Sequence, residues 1–529
     1  MHTTCGRPRS RLLGACALPV VLTLVLSGCA FDLSVESNDQ PEPSPSLSSS
    51  PLPTDESPAP EGDAAGTGLG EFYDQDVTWE ECRRSFQCAT IEVPLDYDEP
   101  GARSISLSLI RRPADGPQQR VGSLVVNPGG PGASGVDFAA NAGSYFGAEL
   151  LRAFDVVGFD PRGVGRSTPV QCLDDDALDA FVAADPDPDN PAEVAEADRL
   201  VREFGEGCVA ESGQLASHMS TVEAARDIDI LRAVLGDPRL SYFGASYGTL
   251  LGATYADLFP DKVGRMVLDG AIDPSLSSVE TSLVQARGFE VALRAYVQAC
   301  VDRGGCFLGD TVDAGTKRIR QFLDEVENEP LPAGNGRQLE VGNAVLGIWA
   351  PLYDKDYWPT LDATLEAAFA GRGEFLMSLS DAYTSRGPDG YADNSLEALY
   401  AVNCLDHSEP ISSEEVAALV PRFERASPTF GAIFAYGLSS CEQWPVKGDR
   451  EPGPLTAEGA APILVIGTSR DPATPLVWAE ALAEQLASGV LVSRDGDGHT
   501  GYSSDNGCVD GAVESYLVSG DVPRDGLRC

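Results

Sequence analysis

Apolar residues fall into short blocks divided by glycine, proline and acidic residues, and the blocks change period along the chain. Ser104 to Ile110 alternates polar with apolar, the period of a half-buried strand. Gly122-Ser-Leu-Val-Val-Asn127 and Phe154-Asp-Val-Val-Gly-Phe159 are nearly continuous apolar runs, which predict strands covered on both faces. Thr221 opens a stretch with Val222, Ala225, Ile228 and Leu231 at helical spacing, and Gly236-Asp-Pro238 stops it. A strand is then expected over Leu240–Phe243, a helix after Ser246 to about Leu258, and a strand over Arg265–Leu268. This rotation predicts an α/β fold with a mainly parallel central sheet and helices on both faces.

From Ser275 the apolar spacing turns helical and strand runs disappear until Pro462-Ile-Leu-Val-Ile466; a helix near Pro475–Leu486 and a last strand at Val490–Ser493 follow. The expected organisation is a core over 77–274 and 456–529, interrupted by a helical cap over 275–455. Ahead of it, Arg7, Arg9 and Arg11 precede an apolar run from Leu12 to Leu26, short for a membrane span and right for a signal peptide over 1–28. The run ends in Leu26-Ser-Gly-Cys29, which resembles the lipobox of bacterial lipoproteins and makes Cys29 the expected lipidation site; a plain secretory cleavage is the alternative. Residues 29–76, rich in Ser, Pro and acids, read as a flexible tether that cannot bury enough surface to fold. The expected location is the outer face of a bacterial cell membrane, through an N-terminal lipid, or the medium.

Composition narrows the partners. With 81 acidic against 37 basic residues, the formal charge of −44 over 529 residues repels phosphate backbones and argues against nucleic acid. A cationic substrate is compatible with that charge, although the same acidity keeps an exported protein soluble. Beyond Cys29 lie ten cysteines, Cys82, Cys88, Cys172, Cys208, Cys300, Cys306, Cys404, Cys441, Cys508 and Cys529, an even number that suits disulfides in an oxidising compartment. Pairing of sequence neighbours is the expectation, with other connectivities open. There is no C-x₂-C spacing and there are only four histidines, so no metal site is expected, nor any cofactor.

The chemistry concentrates in Gly244-Ala-Ser246-Tyr-Gly248, a G-x-S-x-G between an expected strand and helix. A serine raised on so tight a turn sits in strained backbone, and the flanking positions must be small. A hydroxyl needs a base beside it. His2 lies in the signal peptide, His218 precedes the nucleophile and His407 falls in the cap, which leaves His499 in Gly496-Asp-Gly-His-Thr-Gly501 after the last strand. Asp471, in Gly467-Thr-Ser-Arg-Asp-Pro-Ala-Thr-Pro475 after the penultimate strand, is the expected acid that fixes the imidazole tautomer, with Asp495 and Asp497 as competitors. An oxyanion hole is expected from the backbone N–H of Gly130, in Asn127-Pro-Gly-Gly-Pro-Gly132, and of Tyr247.

Several of these stretches resemble one family in the same order. NPGGPGASG at 127–135, FDPRGVGRS at 159–167, TVEAARDIDILRAVLG at 221–236, YFGASYGTLLGATYADLFP at 242–260, VLDGAIDP at 267–274, AVNCLDH at 401–407 and GTSRDPATP at 467–475 are similar to the secreted tripeptidyl aminopeptidases, relatives of proline iminopeptidases. The resemblance implies an α/β-hydrolase body with a helical cap, a triad of Ser246, Asp471 and His499, and removal of short peptides from free N-termini. Pro128 stands where proline iminopeptidases carry the histidine of H-G-G-P-G, which favours the tripeptidyl branch. Recognition of a free amine calls for a carboxylate, and Asp406 in AVNCLDH is the candidate, with a local helix-capping role as its alternative. The protein is expected to act as a monomer on peptides. The competing functions are a carboxylic-ester hydrolase on the same machinery and a non-catalytic peptide-binding lipoprotein.

Overall fold

A computed structural model describes residues 68–83, 85–407, 411–448 and 452–529. The signal peptide, Cys29 and most of the expected tether lie outside the described residues. The strands are β1 Glu80–Cys82, β2 Phe86–Pro94, β3 Ser104–Arg112, β4 Gly122–Asn127, β5 Phe154–Phe159, β6 Leu240–Ala245 and β7 Val263–Asp269, then the short β8 Leu331–Pro332, β9 Gln338–Leu339, β10 Arg386–Gly387 and β11 Gly390–Tyr391, then β12 Ile463–Arg470, β13 Gly489–Asp497 and β14 Leu527–Arg528. Ten of them form one sheet in the order β1-β2-β3-β5-β4-β6-β7-β12-β13-β14. The first pairings, β1 with β2, β2 with β3 and β3 with β5, are antiparallel, and every later one is parallel.

The apolar runs of the central strands feed two cores at once, because successive side chains point to opposite faces. Leu124 and Val126 join Phe243, Val267, Leu464 and Ile466 on one face, beneath Phe146, Tyr502 and Tyr516. Val125 joins Tyr242, Met266, Leu268 and Val465 on the other, against Ile228, Leu251 and Tyr255 of the helices Thr221–Val234 and Tyr247–Leu258. The first of those helices is started by a capping box, with Ser220 accepting from the Glu223 N–H and Glu223 reaching back.

Between β7 and β12 the chain is helical, beginning with Ser278–Asp302, and buries a third core of its own around Phe289, Tyr296, Phe322, Leu361 and Phe423. Strands are not wholly absent there: β8 pairs with β9 and β10 with β11 as two-residue ladders, too short to leave a periodic signal. The expected tether boundary at 76 also moves. Gly70–Tyr73 is a helical turn with Phe72 buried, and Gln75 exchanges hydrogen bonds with the Glu92 backbone, so the chain is packed before residue 77. All five neighbouring cysteine pairs are bonded: Cys82–Cys88, Cys172–Cys208, Cys300–Cys306, Cys404–Cys441 and Cys508–Cys529. Among the described residues no helix is long and apolar enough to cross a membrane.

Candidate active site

The C-terminal ends of β4, β6, β7, β12 and β13 gather the residues singled out by the sequence. Ser246 follows β6 with φ of 56°, a left-handed conformation that holds a non-glycine residue only where the surroundings enforce it. They do so here: the Ser246 N–H is bonded to the carbonyl of Asp269 at 2.9 Å, and the helix Tyr247–Leu258 begins directly behind. That places the positive end of the helix at the nucleophile. Gly248 has no room for a side chain, since a Cβ would stand 2.8 Å from the Asn127 carbonyl oxygen.

Asp471 and His499 are joined. Imidazole Nδ1 lies 2.9 Å from both carboxylate oxygens of Asp471, which is almost fully buried. The carboxylate is fixed from several sides: Oδ1 accepts the N–H groups of Ala473 and Thr474 at 2.9 and 2.8 Å, and Oδ2 accepts the Thr500 N–H and the Thr474 hydroxyl, each at 3.0 Å. Burial lowers the pKa of His499, but the charge and hydrogen bond of Asp471 outweigh it and leave the imidazole above its ordinary value. The two competing acids are engaged elsewhere, Asp495 with Arg470 at 2.8 Å and Asp497 with the same side chain at 2.5 Å.

Ser246 and His499 are both positioned from the end of β7. A Cβ placed on Gly270 would fall 3.3 Å from His499 Cε1, and the preceding residue is the Asp269 that holds the Ser246 N–H. The Asp269 carboxylate in turn accepts the N–H groups of Gly501 and Tyr502, both at 2.8 Å, just beyond the base.

On the other side stands the loop after β4. Gly129 and Gly130 have φ of 103° and 107°, which frees their peptide groups to face the nucleophile. Gly129 makes the closest approach, because a Cβ there would lie 2.8 Å from Ser246 Cβ; its own N–H is held by the Asn127 side chain at 2.9 Å. Among the described residues the Gly130 N–H has no protein acceptor, which suits a donor to an oxyanion.

Asp406, the candidate for reading a free amine, bonds to Thr221. It ends the helix Ser395–Asp406 in a buried position, and its carboxylate accepts the Thr221 N–H at 2.9 Å and the Thr221 hydroxyl at 2.5 Å. Thr221 Oγ1 is also 2.6 Å from the Tyr247 hydroxyl, so Asp406 supports the residue after the nucleophile. These bonds put its carboxylate at the N-terminus of the helix Thr221–Val234, as in the capping alternative.

Three contributors carry weak sequence signals. Asp269 is a charge that closes an apolar strand, Thr474 stands three residues beyond the acid, and Tyr353 belongs to the helical segment between β7 and β12. The Tyr353 carbonyl accepts the His499 N–H at 2.7 Å, and its ring meets the imidazole edge to face with centroids 5.3 Å apart. As for metals, among the described residues Asp185, Glu193 and Glu327 bring carboxylate oxygens within 4.8 Å of one another, without a histidine or thiolate among them. The ten downstream cysteines are consumed by disulfides.

Comparison with known proteins gives the family. Residues 427–529 match the TAP-like protein family of the α/β hydrolases. Serine protease Hip1 of Mycobacterium tuberculosis is 35% identical over 480 residues, covering 86% of this chain and 91% of that protein. Carboxylesterase B of the same organism is 38% identical over 474 residues, covering 85% and 89%. Tripeptidyl aminopeptidase of Streptomyces lividans is 32% identical over 469 residues, covering 86% of each. With an α/β sheet of this topology and relatives matched over nearly their whole length, the chain belongs to the tripeptidyl aminopeptidase-like family of α/β hydrolases.

Proposed function

We propose that this protein is an exported serine exopeptidase that removes short peptides, tripeptides above all, from free N-termini through an acyl-enzyme on Ser246. The observation that carries the reading is the Asp471–His499 pair, bonded at 2.9 Å after β12 and β13, beside the β7 end that holds the Ser246 N–H. In the cycle, His499 Nε2 takes the Ser246 proton as Oγ attacks the scissile carbonyl, then returns it to the leaving amine; water repeats the sequence to free the acyl group. Gly130 and Tyr247 N–H groups are assigned to the oxyanion, where one such donor is worth about 10²–10³ in kcat. Peptide substrates are supported by the tripeptidyl aminopeptidase and serine protease relatives. Asp406 enters as a positioning residue behind Tyr247.

The test is hydrolysis of a tripeptide anilide with a free N-terminus against its N-acetylated form. The free form is expected to be turned over and the blocked form spared; equal turnover would remove the exopeptidase reading. Ser246→Ala should abolish the activity by several orders of magnitude with the fold retained. A second reading, a carboxylic-ester hydrolase, is favoured by the carboxylesterase relative, and turnover confined to simple esters would select it. The chain outside the core is assigned in the same reading: a leader over 1–28, lipidation at Cys29, a tether leading to the packed chain, and the helical segment 275–455 as a cap over a monomeric catalytic body. Cys29→Ala should move the protein from the membrane fraction to the medium.

A further inference from the structure

The base has two nitrogens and one is committed. With Nδ1 held by Asp471, only Nε2 of His499 can return a proton to the leaving amine, so the substrate residue bearing that amine must pass beside the imidazole. What stands against the imidazole from the cap is the Tyr353 ring, edge to face.

Tyr353 does not stand alone. Its hydroxyl is 3.4 Å from that of Tyr383, and the two ring centroids are 6.1 Å apart. Tyr383 ends the helix Glu374–Tyr383 and is 41% exposed, unusual for a large aromatic ring. Tyr383 thus continues the aromatic surface of the Tyr353 ring that stands against the base, and the proposed cycle uses neither ring.

We propose that Tyr383 is a specificity-determining residue: with Tyr353 it forms an aromatic wall beside His499 that receives an apolar side chain of the residue whose amine leaves. The proposal rests on the exopeptidase reading and deepens it by assigning a preference on the leaving side of the scissile bond. Its physical basis is burial of an apolar side chain against aromatic rings.

The experiment follows release of X from free-amine tetrapeptides Ala-Ala-Ala-X with X as Phe, Leu or Gly, in the wild type, Tyr383→Ala and Tyr383→Phe. The wild type is expected to favour Phe and Leu over Gly by about tenfold in kcat/KM, mainly through KM. Tyr383→Ala should erase most of that ratio by penalising Phe and Leu, and Tyr383→Phe should keep it. An equal loss for all three substrates in Tyr383→Ala would make the ring a structural support and overturn the inference alone. Loss of the preference in Tyr383→Phe would transfer recognition to the hydroxyl and overturn the apolar wall. Failure of the wild type to release X from any tetrapeptide would overturn the exopeptidase reading and this inference with it.

Discussion

Asp269 ties Ser246 to the loop of the base: its carbonyl accepts the Ser246 N–H at 2.9 Å, and its carboxylate accepts the Gly501 and Tyr502 N–H groups at 2.8 Å each. Burial pushes the carboxyl up to about 7, against the pull of those two N–H bonds. A carboxyl raised on folding contributes stability that is complete below its unfolded value of about 3.9 and is lost as pH climbs towards the folded value. Asp269→Asn preserves the shape but turns an amide NH₂ on one of two backbone donors. We expect it to cost about 1–3 kcal/mol and to flatten the decline in stability between about pH 4 and 7. Denaturant titrations at the two pH values check both effects: stability equal to that of the wild type would contradict the first, and an equal decline with pH the second.

The pH dependence of catalysis has a different owner. Burial favours the neutral imidazole of His499, yet the negative charge and hydrogen bond of Asp471 prevail and raise its pKa. The base works when neutral, so kcat/KM should rise with pH through a midpoint above the ordinary histidine value of about 6.5. In Asp471→Asn the charge is gone and the tautomer is no longer fixed. The midpoint should fall, and kcat should drop on the order of 10⁴-fold, as rate profiles on one peptide substrate will report.

What the sequence made legible follows from where each residue sits. The strands β4, β5, β6, β7 and β12 are buried on both faces and so appear as apolar runs closed by glycine or a polar residue. Ser246 and Asp471 stand in the turns those runs lead into, and His499 in the glycine-rich loop after the half-buried β13, which made them visible as motifs. By contrast, β2 is an outlying antiparallel strand, FQCATIEVP, whose half-buried residues mix polar with apolar and leave no clear period. Asp406 and Tyr353 are clearer still: one reaches Thr221, 185 positions away, and the other reaches His499 from the helical segment, so neither contact has a local signature. The character of Asp406 as an acid was readable, and its partner was not.

That partner decides the next prediction. Asp406 holds Thr221 through two hydrogen bonds, and Thr221 holds the hydroxyl of Tyr247, whose N–H is assigned to the oxyanion. Asp406→Asn weakens charge-assisted bonds that contribute about 1.5–3 kcal/mol, and part of that loss reaches the nucleophile turn. A tripeptide with a free amine and a simple methyl ester should lose kcat/KM by the same factor, roughly tenfold. A loss confined to the amine-bearing substrate would return the carboxylate to a direct role in recognition.

The disulfides should differ in worth according to the chain they close. Cys404–Cys441 encloses a separation of 37 residues and links the helix Ser395–Asp406 to the turn Gly437–Cys441, whereas Cys300–Cys306 closes only 6. In the chain-entropy account, the first restricts the unfolded ensemble by roughly 4 kcal/mol and the second by roughly 2 kcal/mol. Neither loop contains a cysteine of another pair, so the two effects are separable. Replacing both members of a pair by serine should therefore lower the denaturant midpoint more for Cys404–Cys441 than for Cys300–Cys306. The longer bridge lies two residues from Asp406, and its removal should also reduce kcat through the Thr221–Tyr247 contact. If the shorter bridge proves the more stabilising, loop closure is not what these bonds contribute, and native-state packing around Cys300 must be the source.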